Sequence, residues 1–288
     1  MKHYDLLVLG VGGVGAAAAY HAAKRGLSVL ALDRFPYGHD RGSSHGQTRI
    51  IRQVYFEHPD YVPLLFRAYD LWRELESVVG QSLLTINGLL QIGPPEGEVI
   101  SGVLESARRW NLPIETLDER GLAERFPQFS LPPGCQAVYE AQAGVLYVEA
   151  CVRAHAAAAQ QLGAEFRDGV TVLSWRQEGG GVRIETDQGD FQAERAVATP
   201  GAWATDLLGC AAGTLQVLRK QLHWFPIEQG EWRLDETCPS FLYELPHGVF
   251  YGLPAIDAQG VKIGEHSGGA VVNDPLQVDR GVDVHDQE

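Results

Sequence analysis

The chain opens on a continuous apolar run, residues 5–10, of the kind found in a strand buried on both faces. Residues 14–24 follow as an Ala-rich stretch with a basic end, halted by Gly26, which predicts a helix. A second buried strand is expected over residues 28–32, closing on Asp33, so the N-terminus is one βαβ unit. Leu64, Leu65, Ala68, Leu71, Trp72 and Leu75 recur at helical spacing as one apolar stripe, with Asp60 as the expected N-cap and Pro63 in the first turn. Residues 88–92 read as a strand, 98–110 as a helix and 118–125 as a short helix. A second Ala-rich helix is expected over 148–162, closed by Gly163, then strands near 170–175, 182–186 and 196–199. Residues 215–264 are rich in aromatic and β-branched positions broken by Pro and Gly turns, a mostly β segment. The order is βαβ, mixed α+β, a return to α/β, then β. An α/β nucleotide-binding unit interrupted by a second, α+β unit fits that order.

Composition narrows the class. With 45% hydrophobic residues the chain is too apolar for disorder, and 288 residues are enough for two lobes. The formal net charge of −14 argues against nucleic-acid or anionic-membrane partners, which want a Lys/Arg excess. Cys135, Cys151, Cys210 and Cys238 show no metal or redox spacing, so reduced thiols in a cytoplasm are expected, and no metal site. Residues 6–23 are apolar enough to resemble a membrane segment. Asp5 and the glycines at 10, 12, 13 and 15 make a strand, turn and helix the better reading.

Gly10-Val-Gly12-Gly-Val-Gly15 matches G-x-G-x-x-G directly after a strand and before a helix. The first glycine permits the tight turn, the second lets a pyrophosphate approach the backbone, and the third lets helix and strand pack closely. Asp33 ends the next strand, where a carboxylate can accept hydrogen bonds from a ribose diol. The motif alone does not choose NAD over FAD. Its place at the extreme N-terminus, followed at once by a long polar loop at 35–47, leans toward FAD.

Arg49 and Arg52 flank Ile50-Ile51; they share a face on a helical turn but oppose each other on a strand. An Arg fork suits a carboxylate, although from spacing alone structural arginines partnered by acids are the commoner outcome. On a strand over 261–266, Lys262, Gly264 and His266 share one face. The glycine leaves a slot between two cationic or donor groups, wide enough for a flat ring, and a turn through Pro254 can bring Tyr251 near it. An exposed polar hairpin face explains the same letters about equally well.

Together these residues resemble the monomeric sarcosine oxidase and N-methyl-L-tryptophan oxidase family of FAD amine oxidases, over essentially the whole chain. The resemblance runs through Gly10 to Gly15 and Gly42-Ser-Ser-His-Gly-Gln-Thr-Arg-Ile-Ile-Arg52. It continues through Tyr61-Val-Pro63, Gly144-Val-Leu146, Gly201-Ala-Trp203, Phe250-Tyr-Gly-Leu-Pro254 and Lys262-Ile-Gly-Glu-His-Ser-Gly-Gly269. The last stretch is nearer the N-methyltryptophan branch. The fold implied is an FAD-binding Rossmann-like domain, residues 1–58 and 140–214, interrupted by an α+β substrate domain with a mostly antiparallel sheet, residues 59–139 and 215–275. Residues 276–288 are expected to be a loose acidic tail.

The resemblance also implies roles. Gly10, Gly12, Gly13, Val14 and Gly15 would hold the FAD pyrophosphate, Asp33 and Arg34 would lie at the adenosine ribose, and Val172 near the adenine. Gly201 and Trp203 would line the cofactor, and Ser43, Ser44, His45 and Arg49 would sit at or near the isoalloxazine ring. Arg52 would bind the substrate carboxylate, Tyr251 and His266 would line the amine pocket, and Lys262 would face flavin N5, where oxygen is activated. The reaction implied is oxidative demethylation of an N-methyl amino acid by O2, giving the amino acid, formaldehyde and H2O2, in a monomer. Ser44 and Gln47 depart from the family's usual His and Asp. Family members also continue past the point matching Glu288, with the flavin-linking cysteine, a final strand of the FAD sheet and a lysine that completes the carboxylate clamp. The chain as given is therefore expected to lack that strand, to hold any flavin without a covalent bond, and to turn over poorly. The alternatives are a non-catalytic fragment of such an oxidase, or an NAD-dependent dehydrogenase built on the same glycine turn.

Overall fold

The computed structural model describes residues 3–209, 215–228, 230–236 and 238–282. The first apolar run forms the strand His3–Leu9, parallel to Val29–Leu32 with Leu6 opposite Val29 and Leu9 opposite Leu32. Glu165–Arg167 extends that edge in parallel. On the other side lies Gly189–Ala198, also parallel, and the antiparallel strands Gly181–Thr186 and Val172–Glu178 complete a six-stranded sheet. Helices Gly13–Lys24 and Val148–Gln161 cover one face through Ala16, Ala19, Ala154 and Ala158, whose small side chains let the two helices lie close together. Tyr4, Leu7, Leu30, Leu32 and Ile184 pack on the opposite face. Burial on both sides is why these strands read as unbroken apolar runs.

The strand expected at 196–199 is the last part of a ten-residue strand. Its first half alternates buried and exposed positions, a hairpin pattern that hides among polar letters. Beyond Ala193, the edge of this strand away from His3–Leu9 has no ladder partner among the described residues, and Val197 is 37% exposed there.

A seven-stranded sheet carries the second half of the molecule. Its order is His223–Phe225, Val261–Glu265, Gly248–Leu253, Ser240–Leu245, Leu89–Gly93, Gln136–Glu140 and Glu115–Leu117. All pairings are antiparallel except that of Ser240–Leu245 with Leu89–Gly93. Register fixes which side chains share a face, because directly opposed residues point the same way. Trp224, Lys262, Leu253, Ser240, Leu89 and Glu140 form one row across six strands. The next row on that face is Gly264, Tyr251, Leu242, Gln91 and Val138. The helix Glu98–Trp110 packs against this face through Val99, Ile100 and Val103, beside Val54 and Phe56. The reverse face is an aromatic core of Phe126, Phe129, Tyr139 and Phe241. A small sheet of Thr48–Ile51, Gly144–Tyr147 and Leu84–Ile86 stands apart from the two large ones.

Three expectations need correction. The helix begins at Val62, after a 3-10 turn at Pro59–Tyr61, and the cap on that turn is His58, whose Nδ1 accepts the Asp60 N–H at 3.2 Å. Leu64 lies outside the buried stripe at 66% exposure, while Leu75 is buried. The segment from 276 to 282 is not loose. Ala270–Val272 pairs with Val217–Arg219, the Arg219 guanidinium donates to the carbonyls of Asp279 and Gly281, and Arg280 donates to that of Asp40. Residues 283–288 lie outside the described residues. No helix among the described residues is long and apolar enough to cross a membrane.

Candidate active site

The strand–turn–helix at the N-terminus opens onto a cavity of about 580 Å³. Gly10 turns there at φ +98°, and a Cβ on it would stand 2.4 Å from the Thr199 carbonyl. A Cβ on Gly15 would stand 1.8 Å from the Gly10 carbonyl, so both positions exclude a side chain. The helix that follows has glycine at its N-cap and no acid in its first turn, which leaves its partial positive charge and the N–H groups after Gly13 for an anion. The Gly13 N–H points at the hydroxyl of Ser44, 2.9 Å away across the cavity mouth. Gly10, Gly12, Gly13, Val14, Asp33, Arg34, Ser43, Ser44, Val172, Gly201 and Trp203 all line this one space. Gly15, on the buried side of the helix against the Gly10 carbonyl, does not.

Asp33 does more than wait for a ligand. One carboxylate oxygen accepts the Val11 N–H at 2.5 Å and the other accepts the Phe35 N–H at 2.8 Å, tying the glycine turn to the start of the polar loop. Thr199 closes the far side, its hydroxyl donating to the Gly10 carbonyl at 2.8 Å. The indole N–H of Trp203 is buried without a partner, with Arg34 over its ring at 5.8 Å.

The loop at 35–47 leads to a second cluster. Thr48–Ile51 is a strand, so Arg49 and Arg52 diverge, as the strand alternative requires. Arg49 donates to the carbonyls of Thr48 at 2.8 Å and Ser43 at 2.5 Å. Lys262, only 2% exposed, donates to the carbonyls of Gly46 at 2.9 Å and Thr48 at 2.5 Å. Burial, with the Arg49 cation beside it, pushes the Lys262 ammonium down to about 7. The same two causes hold the His45 imidazole below its ordinary range. Glu149 completes the grip from the helix Val148–Gln161 by accepting the N–H groups of Gly46 at 2.7 Å and Gln47 at 3.1 Å. Gln47 sits at φ +68° and bridges the Trp224 indole to Asp257.

The slot expected beside Gly264 is filled by the chain's own aromatic ring. A Cβ on Gly264 would lie 2.8 Å from the Tyr251 hydroxyl, directly opposite in the ladder, and burial raises that phenol above its usual range. Arg52 donates to both oxygens of Glu57, at 2.8 and 2.7 Å, and its guanidinium stacks on Tyr55 at 4.3 Å and Phe56 at 5.1 Å. His266, 44% exposed by side chain, reaches the same Glu57 from the other side at 3.8 Å and lies edge-on to Phe56 at 5.8 Å. Arg52 and His266 thus converge on one carboxylate, which here belongs to the protein.

The FAD dependent oxidoreductase family matches residues 5–285. The chain belongs to that family. Monomeric sarcosine oxidase of Streptomyces avermitilis is 39% identical over 99% of this chain and 74% of its own length. The enzyme of the same name from a Bacillus species is 33% identical over the same shares. N-methyl-L-tryptophan oxidase of Escherichia coli is 36% identical over 94% of this chain and 72% of its own. Among solved structures, NikD, an unusual amino acid oxidase of nikkomycin biosynthesis, superposes with a TM-score of 0.79 at 25% identity, over 99% of this chain and 75% of that one. The family's cofactor is FAD, and the cavity fits it: the Gly10 turn that admits no Cβ, a helix N-terminus with no acid in its first turn, and Trp203, whose indole N–H has no partner among the described residues, all line one space. Of the cysteines, Cys135, Cys151 and Cys238 are free thiols outside the cavity lining, and Cys210 lies outside the described residues.

The residues that sequence reasoning missed are acids and amides. Glu57, Glu140 and Glu149 each hold a functional segment, and buried Gln91 lies in the same row as Tyr251 with neither amide atom partnered. No motif announces them, since most of their partners are backbone N–H groups distant in sequence.

Proposed function

We propose that the chain oxidises an N-methyl amino acid of the sarcosine or N-methyl-L-tryptophan type with O2 and water, yielding the amino acid, formaldehyde and H2O2. The observation that carries this reading is the convergence of Arg52 and His266 on one carboxylate, beside the sheet face that presents Tyr251 and Lys262. FAD, when bound, supplies the acceptor for the electron pair and the reduced ring that O2 reoxidises. Arg52 takes the substrate carboxylate in place of Glu57, and its fork fixes the orientation of the rest of the molecule. Tyr251 and His266 border the amine, and Phe56 and Leu242 keep that end apolar. Lys262 holds a proton, fixed by the carbonyls of Gly46 and Thr48, where negative charge develops on oxygen. Gly10 to Gly15, Asp33, Arg34 and Val172 bind the dinucleotide. The chain works as a monomer in the cytoplasm.

Identity does not choose between the two substrate types, since the sarcosine oxidases lie on either side of the tryptophan enzyme. The test is anaerobic. The FAD-loaded chain is mixed with sarcosine or N-methyl-L-tryptophan, and loss of the flavin band near about 450 nm is followed. Bleaching by at least one, with formaldehyde equal to the flavin reduced, is expected. Bleaching by unmethylated amino acids alone would move the chain to a different amine oxidase class.

A further inference from the structure

We propose that Glu140 is the residue that positions Arg52, holding the backbone just beyond it so that the guanidinium meets the substrate carboxylate. The proposal rests on the reading of Arg52 as the carboxylate binder. Glu140 ends the strand Gln136–Glu140 and is 1% exposed. One oxygen accepts the Gln53 N–H at 2.6 Å and the other accepts the Val54 N–H at 3.2 Å. Those are the two residues after Arg52, where the strand Thr48–Ile51 has ended and the chain turns toward Glu57. No side-chain donor reaches Glu140 among the described residues.

A carboxylate suits this place because it only accepts, whereas a glutamine would turn an NH2 toward one of two N–H groups. It is also a costly choice. Burial pushes the carboxyl up to about 7, and the Arg52 cation is the charged group that draws it back down. Arg52 needs such an anchor. Its Nε is buried with no partner among the described residues, and stacking on Tyr55 and Phe56 fixes its plane but not its reach toward the substrate. Glu140 supplies the fixed backbone origin, because it holds the two N–H groups that directly follow Arg52.

The experiment compares two ligands on the full chain by titration calorimetry. Methoxyacetate copies sarcosine with an ether oxygen in place of the amine and cannot be demethylated by the same route; methoxyacetamide is its uncharged partner. Glu140→Gln should raise the Kd for methoxyacetate threefold or more while changing that for methoxyacetamide less than twofold. A smaller rise for methoxyacetate, or an equal loss for both ligands, overturns the proposal, because a merely structural role would not separate charged from neutral. Glu140→Asp keeps the charge but cannot span both N–H groups. It should show the same selectivity, and it decides by the same criterion should the Gln variant lose its circular-dichroism signature. Arg52→Met separates the two readings. If it leaves methoxyacetate binding unchanged, the role of Arg52 and the proposal fall together; if it weakens binding while Glu140→Gln does not, only the proposal falls.

Discussion

Lys262→Met replaces a buried ammonium with an apolar chain of nearly the same length. Two opposing terms follow from its surroundings. The carbonyls of Gly46 and Thr48 each lose a charged donor, at about 1.5–3 kcal/mol, while keeping the Thr48 N–H and the Arg49 guanidinium respectively. Against this, the variant is relieved of burying a cation. A fall from 10.5 to about 7 corresponds to about 5 kcal/mol against the protonated native state. Near pH 7 and below the two terms roughly cancel, so overall stability should change by no more than about 2 kcal/mol. The pH dependence should change far more. Between about 7 and 10.5 the native lysine is neutral while the unfolded one still carries a proton, so the unfolded state binds more protons and stability rises with pH. Wild type should therefore gain on Lys262→Met by about 1.4 kcal/mol per pH unit from pH 7 upward. Urea unfolding of both proteins at pH 6, 7, 8 and 9 measures this, and the difference should be flat from 6 to 7 and then climb. Parallel profiles throughout would show that the ammonium is not buried as the structure has it. In the FAD-loaded protein the same substitution should slow reoxidation by O2 more than anaerobic reduction, and the reverse order in stopped flow would remove Lys262 from the oxygen step.

Asp33→Ala should weaken FAD binding, measured by fluorescence titration, and should also destabilise the FAD-free protein by about 1–3 kcal/mol, because its carboxylate already holds the Val11 and Phe35 N–H groups. An unchanged denaturation midpoint in the FAD-free protein would contradict that second role. Glu57→Ala frees the fork of Arg52 and should tighten methoxyacetate binding about fivefold, a gain of about 1 kcal/mol; weaker binding would make Glu57 a support for Arg52 instead of a competitor. Burial pushes the His155 imidazole down to about 4 against the aromatic rings of Tyr20 and Trp72. From pH 6.5 down to about 4 the unfolded state therefore binds the extra proton, and about 3 kcal/mol of stability should be lost in that window. His155→Leu should lack this acid-dependent loss when unfolding is followed at pH 7, 6, 5 and 4.

The parts legible in the sequence are those whose physics is local. Gly10 to Gly15 announces itself because a positive φ, a close approach and a helix start all occur within six residues. The helix expected over 98–110 is Glu98–Trp110, whose buried Val99, Ile100, Val103 and Ala107 fall at helical spacing. Leu64 misled because an apolar letter at the right spacing carries no information about whether anything packs there. Glu140 was invisible for the opposite reason: its partners are N–H groups 86 and 87 positions away, and any acid in the chain could have filled that place. From the sequence the slot beside Gly264 is wide enough for a flat ring with Tyr251 near it, but it is Tyr251 itself that occupies the space, because the two are paired across adjacent strands.

The seven-stranded sheet grips the segment carrying both arginines from two ends, and the dimensions agree. Lys262 and Glu140 occupy the same row with Leu253, Ser240 and Leu89 between them, four strand spacings of about 4.8 Å, or about 19 Å. Lys262 holds the carbonyls of Gly46 and Thr48, and Glu140 holds the N–H groups of Gln53 and Val54. From Thr48 to Gln53 is five residue steps, about 17 Å of extended chain. The segment therefore lies across the strands, with a buried donor at the end that feeds the dinucleotide cavity and a buried acceptor at the end that feeds the carboxylate pocket. Each anchor carries the charge that its backbone partners demand, a cation on carbonyls and an anion on N–H groups. Exchanging the two would leave the N–H groups of Gln53 and Val54 facing a cation and the carbonyls of Gly46 and Thr48 facing an anion. Because the strand ends at Ile51 and Arg52 is the one residue between it and the grip on Gln53, slack introduced at Glu140 should appear at Arg52.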